Sequence, residues 1–344
     1  MKNLFVSFVV AGILFSAISC TATRNQGKTS LMTRDFPAAS IKAVEAATSG
    51  GSLTLTGDAG SQATVEVQVS RNNWSDEKIQ QILDDNYTID IRVDNGTLYA
   101  IAKQKSGFSG WNNQGLSISF KISVPEQVNS QLNTSGGSIQ ISHLSGSQSF
   151  KTSGGSLAID NVSGTIDGKT SGGSITVSNS KDNIDLKTSG GSMEASNCSG
   201  TISMETSGGS LNLNNLNGTI NATTSGGSIS ASAISGTFKI GTSGGSVNLD
   251  DISGNLEAST SGGDMNVKIK STGDYVKLSN SGNLNLTLPA GKGYNLDVKG
   301  NNVKATGLQS FRGSQDDRSL TGTEGNGGTE ISAKSSQRVR LTFE

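Results

Sequence analysis

Proline is nearly absent from this chain: 3 in 344 residues. Histidine occurs once, cysteine twice, and aromatic side chains make up 5%. Each shortage excludes something. Two cysteines cannot build a disulfide scaffold, and one histidine cannot supply a recurring His metal site. Charge of one sign is also missing: 27 Lys and Arg face 28 Asp and Glu, leaving a net charge of −1. With no basic excess to neutralise phosphates, nucleic acid is a poor partner. The only long apolar run, Leu4 to Ile18, is short for a membrane span.

Glycine, in contrast, is abundant, at 45 residues. Much of it sits in one recurring phrase. TSGGS begins at Thr134, Thr152, Thr170, Thr188, Thr206, Thr224 and Thr242, and TSGGD at Thr260, always 18 residues apart. A period this strict means that each unit holds the same place in a stacked array. With the Thr as position one, position six is Ile139, Leu157, Ile175, Met193, Leu211, Ile229, Val247 and Met265. Position eight is Ile141, Ile159, Val177, Ala195, Leu213, Ala231, Leu249 and Val267. Position eleven is mostly branched and includes Cys198, until Lys270 interrupts it; fifteen and seventeen are again mainly apolar.

Paired positions two apart predict two short strands per unit with alternate side chains inward. SerGlyGly makes one corner and a stretch such as Asn161-Val-Ser-Gly164 the other. Identical units stacked on one axis predict parallel sheets with like residues about 4.8 Å apart. The expected fold is therefore all-β: a parallel β-solenoid, or β-helix, of 18-residue coils. The crossover rule favours right-handed coils. Cys198, in an apolar column, is expected to be a small buried core residue.

The rest of the chain divides around this array. Residues 1–19 read as a signal peptide: Lys2, an apolar run, then small residues before Cys20. Ala17-Ile-Ser-Cys20 resembles a bacterial lipobox with Ala in place of the usual Leu, which implies acylation of Cys20. The same resemblance, with Thr21 instead of Asp, implies an outer-membrane destination, facing the periplasm or the cell surface. Residues 20–36 are then anchor and polar tether. Residues 37–131 break the period, although Thr48 to Ser52 already spells TSGGS, and read as a β-rich cap. Within it Ser75 predicts the start of one short helix and Asp94-Asn95-Gly96 a tight hairpin. Residues 132–279 are the repeat. Residues 280–344 form a C-terminal solenoid end and cap, with Gln309 to Gly328 expected as a long loop and Val339 to Phe343 as a final strand.

Repeated TSGGS units after a β-rich lead-in and a signal peptide resemble the bacterial putative-adhesin family of envelope proteins, related to the heads of auto-transporter-like adhesins. The resemblance covers about Phe36 to Glu344. It implies a surface-presenting role and brings no catalytic or ligand residues with it.

Candidate chemistry is sparse. SGGS runs into a strand, so it lacks the strand-to-helix context of a phosphate loop. Calcium β-rolls share the two-strand, 18-residue geometry but need a repeated Asp, and only Asp264 stands at that turn. His143 lies in a turn without a His or Cys partner. Asp167 and Asp185 fall at position sixteen of consecutive coils, near a retaining-glycosidase separation, but Lys151, Lys169 and Lys187 make the same face a mixed-charge ladder. A flat Thr rank of the ice-binding kind is disfavoured, because the Thr column adjoins a glycine bend. Phe108 and Trp111, in a Gly/Ser/Asn loop, are candidates for stacking on sugar rings, against the more ordinary use of packing on the solenoid end.

The sequence therefore predicts a non-catalytic envelope lipoprotein that presents a rigid surface for adhesion or scaffolding, with no metal and no cofactor. Its expected contacts are the membrane, through the anchor, and glycan, peptidoglycan or an envelope protein. The alternative is a β-helix enzyme or binding protein acting on envelope or extracellular polysaccharide.

Overall fold

The computed structural model describes residues 29–70, 74–105 and 115–344. It is all-β with one α-helix, and its 24 strands belong to one hydrogen-bonded network.

The 18-residue period becomes hydrogen-bond register. Leu157 to Lys169 pairs in parallel with Ile139 to Lys151, every residue beside the one 18 places earlier. The same register carries Met193–Thr206 onto Leu211–Thr224, then onto Ile229–Thr242 and Val247–Thr260. Positions six, eight and eleven are buried in every unit up to Val247, Leu249 and Ile252. Instead of two separate strands, most units form one ladder running through a bend, as in Leu157–Lys169. Only the third unit divides, into Ile175–Ser178 and Lys181–Thr188.

The bend has a local cause. Position ten adopts the left-handed conformation: His143, Asn161, Asn179, Asn197, Asn215, Ala233 and Asp251 all have φ between 51° and 57°. Asn and Asp tolerate it best, and Asn is the commonest choice here. Position thirteen, glycine in most units, follows with φ of 100° to 128°, as at Gly164 and Gly218. That is the corner expected at Asn161-Val-Ser-Gly164.

The TSGG corner uses glycine differently. A Cβ on Gly155 would lie 1.9 Å from the carbonyl oxygen of Gly137, one coil below, and the same clash recurs at Gly173, Gly191 and Gly209. Close backbone approach, and not positive φ, reserves the second glycine. The Thr is buried and faces inward. Thr152 Oγ1 donates to the Gly137 carbonyl at 2.8 Å and accepts from the Gly155 amide at 3.2 Å. One hydroxyl therefore stitches two coils and closes its own turn.

The core is narrow and packed by size complementarity. At position seventeen Gly168 lies between Phe150 and Leu186, and a Cβ there would meet the Phe150 ring at 2.4 Å. Beside the Thr column, Ser180 and Gln148 also enter the interior with hydrogen-bond partners. Ser180 Oγ donates to the Ser178 carbonyl and accepts from the Val162 amide. Gln148 Nε2 donates to the Val128 carbonyl, and Gln148 Oε1 accepts from Ser130.

Both ends of the array are closed by the same device. Ala43–Ala47 and Leu53–Thr56 flank the TSGGS copy at Thr48 and behave as a coil. Leu53–Thr56 is sandwiched between Ile139 to Ser142 and Phe120 to Ser123. Ala43–Ala47 is sandwiched between Asn129–Asn133 and Thr97 to Ile101. The first coil in sequence is thus second in space. At the far end Thr329–Ser335 lies between Tyr275 to Asn280 and Tyr294–Lys299. Arg338–Phe343 likewise lies between Leu284–Leu288 and Asn302–Thr306. The last coil is also one level in from the end.

Antiparallel strands finish each end: Gln62–Ser70 and Tyr87–Asp94 at one, Ser319–Glu324 and Arg312–Gln315 at the other. The helix, Asp76–Asn86, is capped as expected by Ser75, whose side chain accepts from the Lys78 amide.

Several expectations are corrected. The tether expected up to residue 36 overlaps a strand, Thr29–Pro37, paired antiparallel with Gln62–Ser70. The long loop expected over 309–328 holds the strands Arg312–Gln315 and Ser319–Glu324. The break at Lys270 is a register shift: Ile269 pairs with Ile252 and is buried, while Lys270 turns out to Asp251. Asn280 then stands opposite Thr260; its side-chain amide donates to the Gly263 carbonyl at 3.4 Å where Thr260 donates to Gly245, and also to the Asn283 carbonyl at 2.9 Å.

Candidate functional site

Once core and corners are assigned, what remains for function is the outward face of each strand. Cys20, Phe108 and Trp111 lie outside the described residues. Further along the chain, the Leu116 amide donates to the Tyr87 hydroxyl at 2.9 Å.

The outward positions form in-register ranks. Position seven carries Gln140, Ala158, Thr176, Glu194, Asn212, Ser230, Asn248 and Asn266, all exposed. Amides link along it where adjacent: Asn266 donates to Asn248, and Asn285 to Asn266. At the second corner Asn215 donates to Asn197, and Asn197 to Asn179, which donates in turn to Asp160. The hydrogen bonds from Ser178 and Asn179 hold the Asp160 carboxyl below its ordinary range.

Asp167 and Asp185 are cross-strand neighbours, as their spacing predicts. Asp167 is engaged by Lys169 at 3.0 Å, and the next coil pairs Lys187 with Glu205 at 3.4 Å. Lys239 and Glu257 continue the pattern at 3.0 Å. These pairs are solvent-exposed, so each contributes little to stability. His143 is exposed at its left-handed corner. Asp264 serves the turn above it, accepting from the Asn283 amide at 2.8 Å.

The thiol of Cys198 is buried in the position-eleven column, and burial pushes its pKa up. Its hydrogen bond runs to the Ser196 carbonyl at 3.2 Å. The Thr column is likewise inward and hydrogen-bonded, so it offers no external hydroxyl rank. Surface depressions occur near the N-terminal end, one of about 260 Å³ lined by residues including Asp58, Glu66 and Lys121. Among the described residues no helix is long and apolar enough to cross a membrane. No cluster of three or more potential metal ligands occurs among them either.

Solved structures similar to the chain include three bacterial proteins. One is a "putative cell adhesion protein" from Clostridium sporogenes ATCC 15579, with 12% identity over 91% of this chain and 99% of that one, at a TM-score of 0.19. Another is a "putative adhesin" from Bacteroides fragilis NCTC 9343, with 16% identity over 74% and 95%, at a TM-score of 0.29. The third is a "putative lipid binding protein" from Parabacteroides distasonis ATCC 8503, with 17% identity over 76% and 97%, at a TM-score of 0.27. At these scores no residue-level argument passes from them to this chain. No curated protein matches it. Over residues 232–337, from the last repeats into the C-terminal end, the chain matches the Toastrack DUF4097 family model.

Proposed function

We propose that this chain is a non-catalytic lipoprotein of the bacterial envelope, outer-membrane-anchored through acylated Cys20, that presents a rigid parallel β-solenoid for adhesion or scaffolding. The observation that carries the reading is the division of labour within each coil. Thr, Gly and the apolar positions are consumed internally, leaving outward ranks made mostly of Ser, Asn, Thr and mixed charge. Such ranks suit hydrogen bonding to hydroxyl-rich or amide-rich partners, glycan, peptidoglycan or another envelope protein, over an extended contact. The strict register keeps those ranks straight, and the buried Thr–Gly stitching keeps them rigid.

The test has two parts. Mass spectrometry of the mature N-terminus, with proteolysis of intact cells, reads anchor and orientation; an unmodified Cys20 would remove the anchor from the proposal. Pull-down of purified protein residues 29–344 on peptidoglycan sacculi and on whole cells reads the surface role. Retention on either supports it. Absence of retention on both, together with turnover of envelope polysaccharide by the same preparation, would replace it with an enzyme.

A further inference from the structure

The outward ranks are not uniform along the rod. On the strand face that begins after the TSGG corner, the middle coils show Asp160, Glu194 and Asp250 among neutral residues, all facing solvent. At the C-terminal end the same face turns basic. Arg340 lies directly beside Lys304 in parallel register, and Arg338 lies beside Asn302. On the other side Arg340 neighbours Asn285, and Thr342 neighbours Thr287. Lys268 follows one level further in, beside Thr287. Arg338, Arg340, Lys304 and Lys268 are all exposed.

Like charges directly opposed across strands destabilise a sheet. In the middle of the rod, where Lys169 stacks between Lys151 and Lys187, carboxylates on the same face offset the charge: Lys169 pairs with Asp167 and Lys187 with Glu205. Among the described residues Arg338, Arg340 and Lys304 have no ion pair. The carboxylate that the ion pairs do bring to this face, Glu344, is held by Lys268 at 3.4 Å. The fold brings these cations together from three chain segments, because the last coil is inserted between 284–288 and 302–306.

We propose that this end is a binding face for an anionic polysaccharide, with Arg338, Arg340 and Lys304 engaging carboxylates or other anionic groups and Asn285, Thr342 and Thr306 bonding sugar hydroxyls. The neighbours decide the class. Cations interleaved with amides and hydroxyls on a flat strand face match a chain rich in both hydroxyl and acidic groups. Arginine's planar fork suits bidentate carboxylate contacts. A net charge of −1 gives no general attraction to polyanions, so binding must come from the local patch. The inference narrows the surface role proposed above to one end and one ligand class, and rests on it.

The test measures binding of residues 29–344 to polygalacturonate, with dextran as the neutral polymer and vesicles containing phosphatidylglycerol as the anionic membrane. Polygalacturonate is expected to bind, dextran not, with affinity falling as salt rises. The triple variant R338Q/R340Q/K304Q should lose about tenfold or more in affinity. A control with the same charge change elsewhere, K42Q/K103Q/K181Q, should lose less than about twofold. Equal losses in the two variants, or equal binding of dextran, would overturn the assignment. Binding to the vesicles alone would also overturn it, in favour of a membrane contact. Retention on sacculi or cells that survives the triple variant would leave the surface role standing without this face.

Discussion

Thr188 is tied to Gly173 across consecutive coils: its hydroxyl donates to the Gly173 carbonyl at 2.8 Å and accepts from the Gly191 amide at 3.3 Å. Thr188→Val keeps the shape but removes both bonds inside a buried corner. The expected cost is about 1–3 kcal/mol in urea denaturation, with Thr188→Ser losing less because the hydroxyl remains. Equal stability of the Val variant and the parent protein would show that the corner is held by packing alone.

The two adjacent glycines of that corner should respond very differently. A Cβ on Gly190 meets its nearest neighbour at 3.5 Å, an ordinary contact, whereas on Gly191 it would lie 2.0 Å from the Gly173 carbonyl oxygen. Gly190→Ala should change stability by less than about 1 kcal/mol. Gly191→Ala should cost about 3 kcal/mol or more, since backbone must move on two levels. Thermal melts of the two proteins side by side decide it; similar melting temperatures would contradict the close approach.

Removing residues 329–344 should do more than trim a terminus. That coil fills the level between 275–288 and 294–306, so its loss strips hydrogen-bond partners and cover from buried Val276, Leu284, Leu296 and Val303. Hydrogen exchange should show lost protection throughout 284–324 while the coils from 139 to 260 keep theirs. Protection retained at 294–306 would mean that this coil is not the spacer described.

Cys198 should alkylate slowly in the native protein. Burial raises its pKa, so the neutral thiol is the form the fold favours. That contribution is full below the unfolded thiol value of about 8.5 and is lost as pH rises through the folded one. Iodoacetamide labelling at neutral pH is expected to be at least about a hundredfold slower than in urea. Comparable rates in both conditions would place the thiol outside the core.

What could be read from the sequence was whatever repeats. The inward residues at positions six, eight and eleven, the two corners and the burial of Cys198 all follow from aligning the units, because each unit meets the same neighbours. The order of stacking at the ends does not follow. Leu53 and Leu55 alternate as any coil would, and alternation says which face is inward but not which strand lies alongside. One signal was present: the TSGGS at Thr48 carries the chemistry of a stacked corner, and the Thr134 hydroxyl indeed donates to the Gly51 carbonyl. The basic face was hidden for the same reason, since Arg340 and Lys304 become neighbours only through the inserted last coil. The role of the Thr was also missed, because a hydroxyl beside two glycines reads as turn surface, whereas here it faces inward.

The central claim is that each 18 residues advance the chain by one coil. Pulsed electron paramagnetic resonance tests it directly, with spin-label pairs on exposed position-seven sites in a Cys198→Ala background. Gln140 with Asn212 spans four coils and Gln140 with Asn248 six, counted along the parallel register. At about 4.8 Å per coil the backbone separations should be about 19 Å and about 29 Å. An increment near 10 Å between the two pairs is the predicted result; equal distances, or an order reversed, would contradict the stacked-coil account.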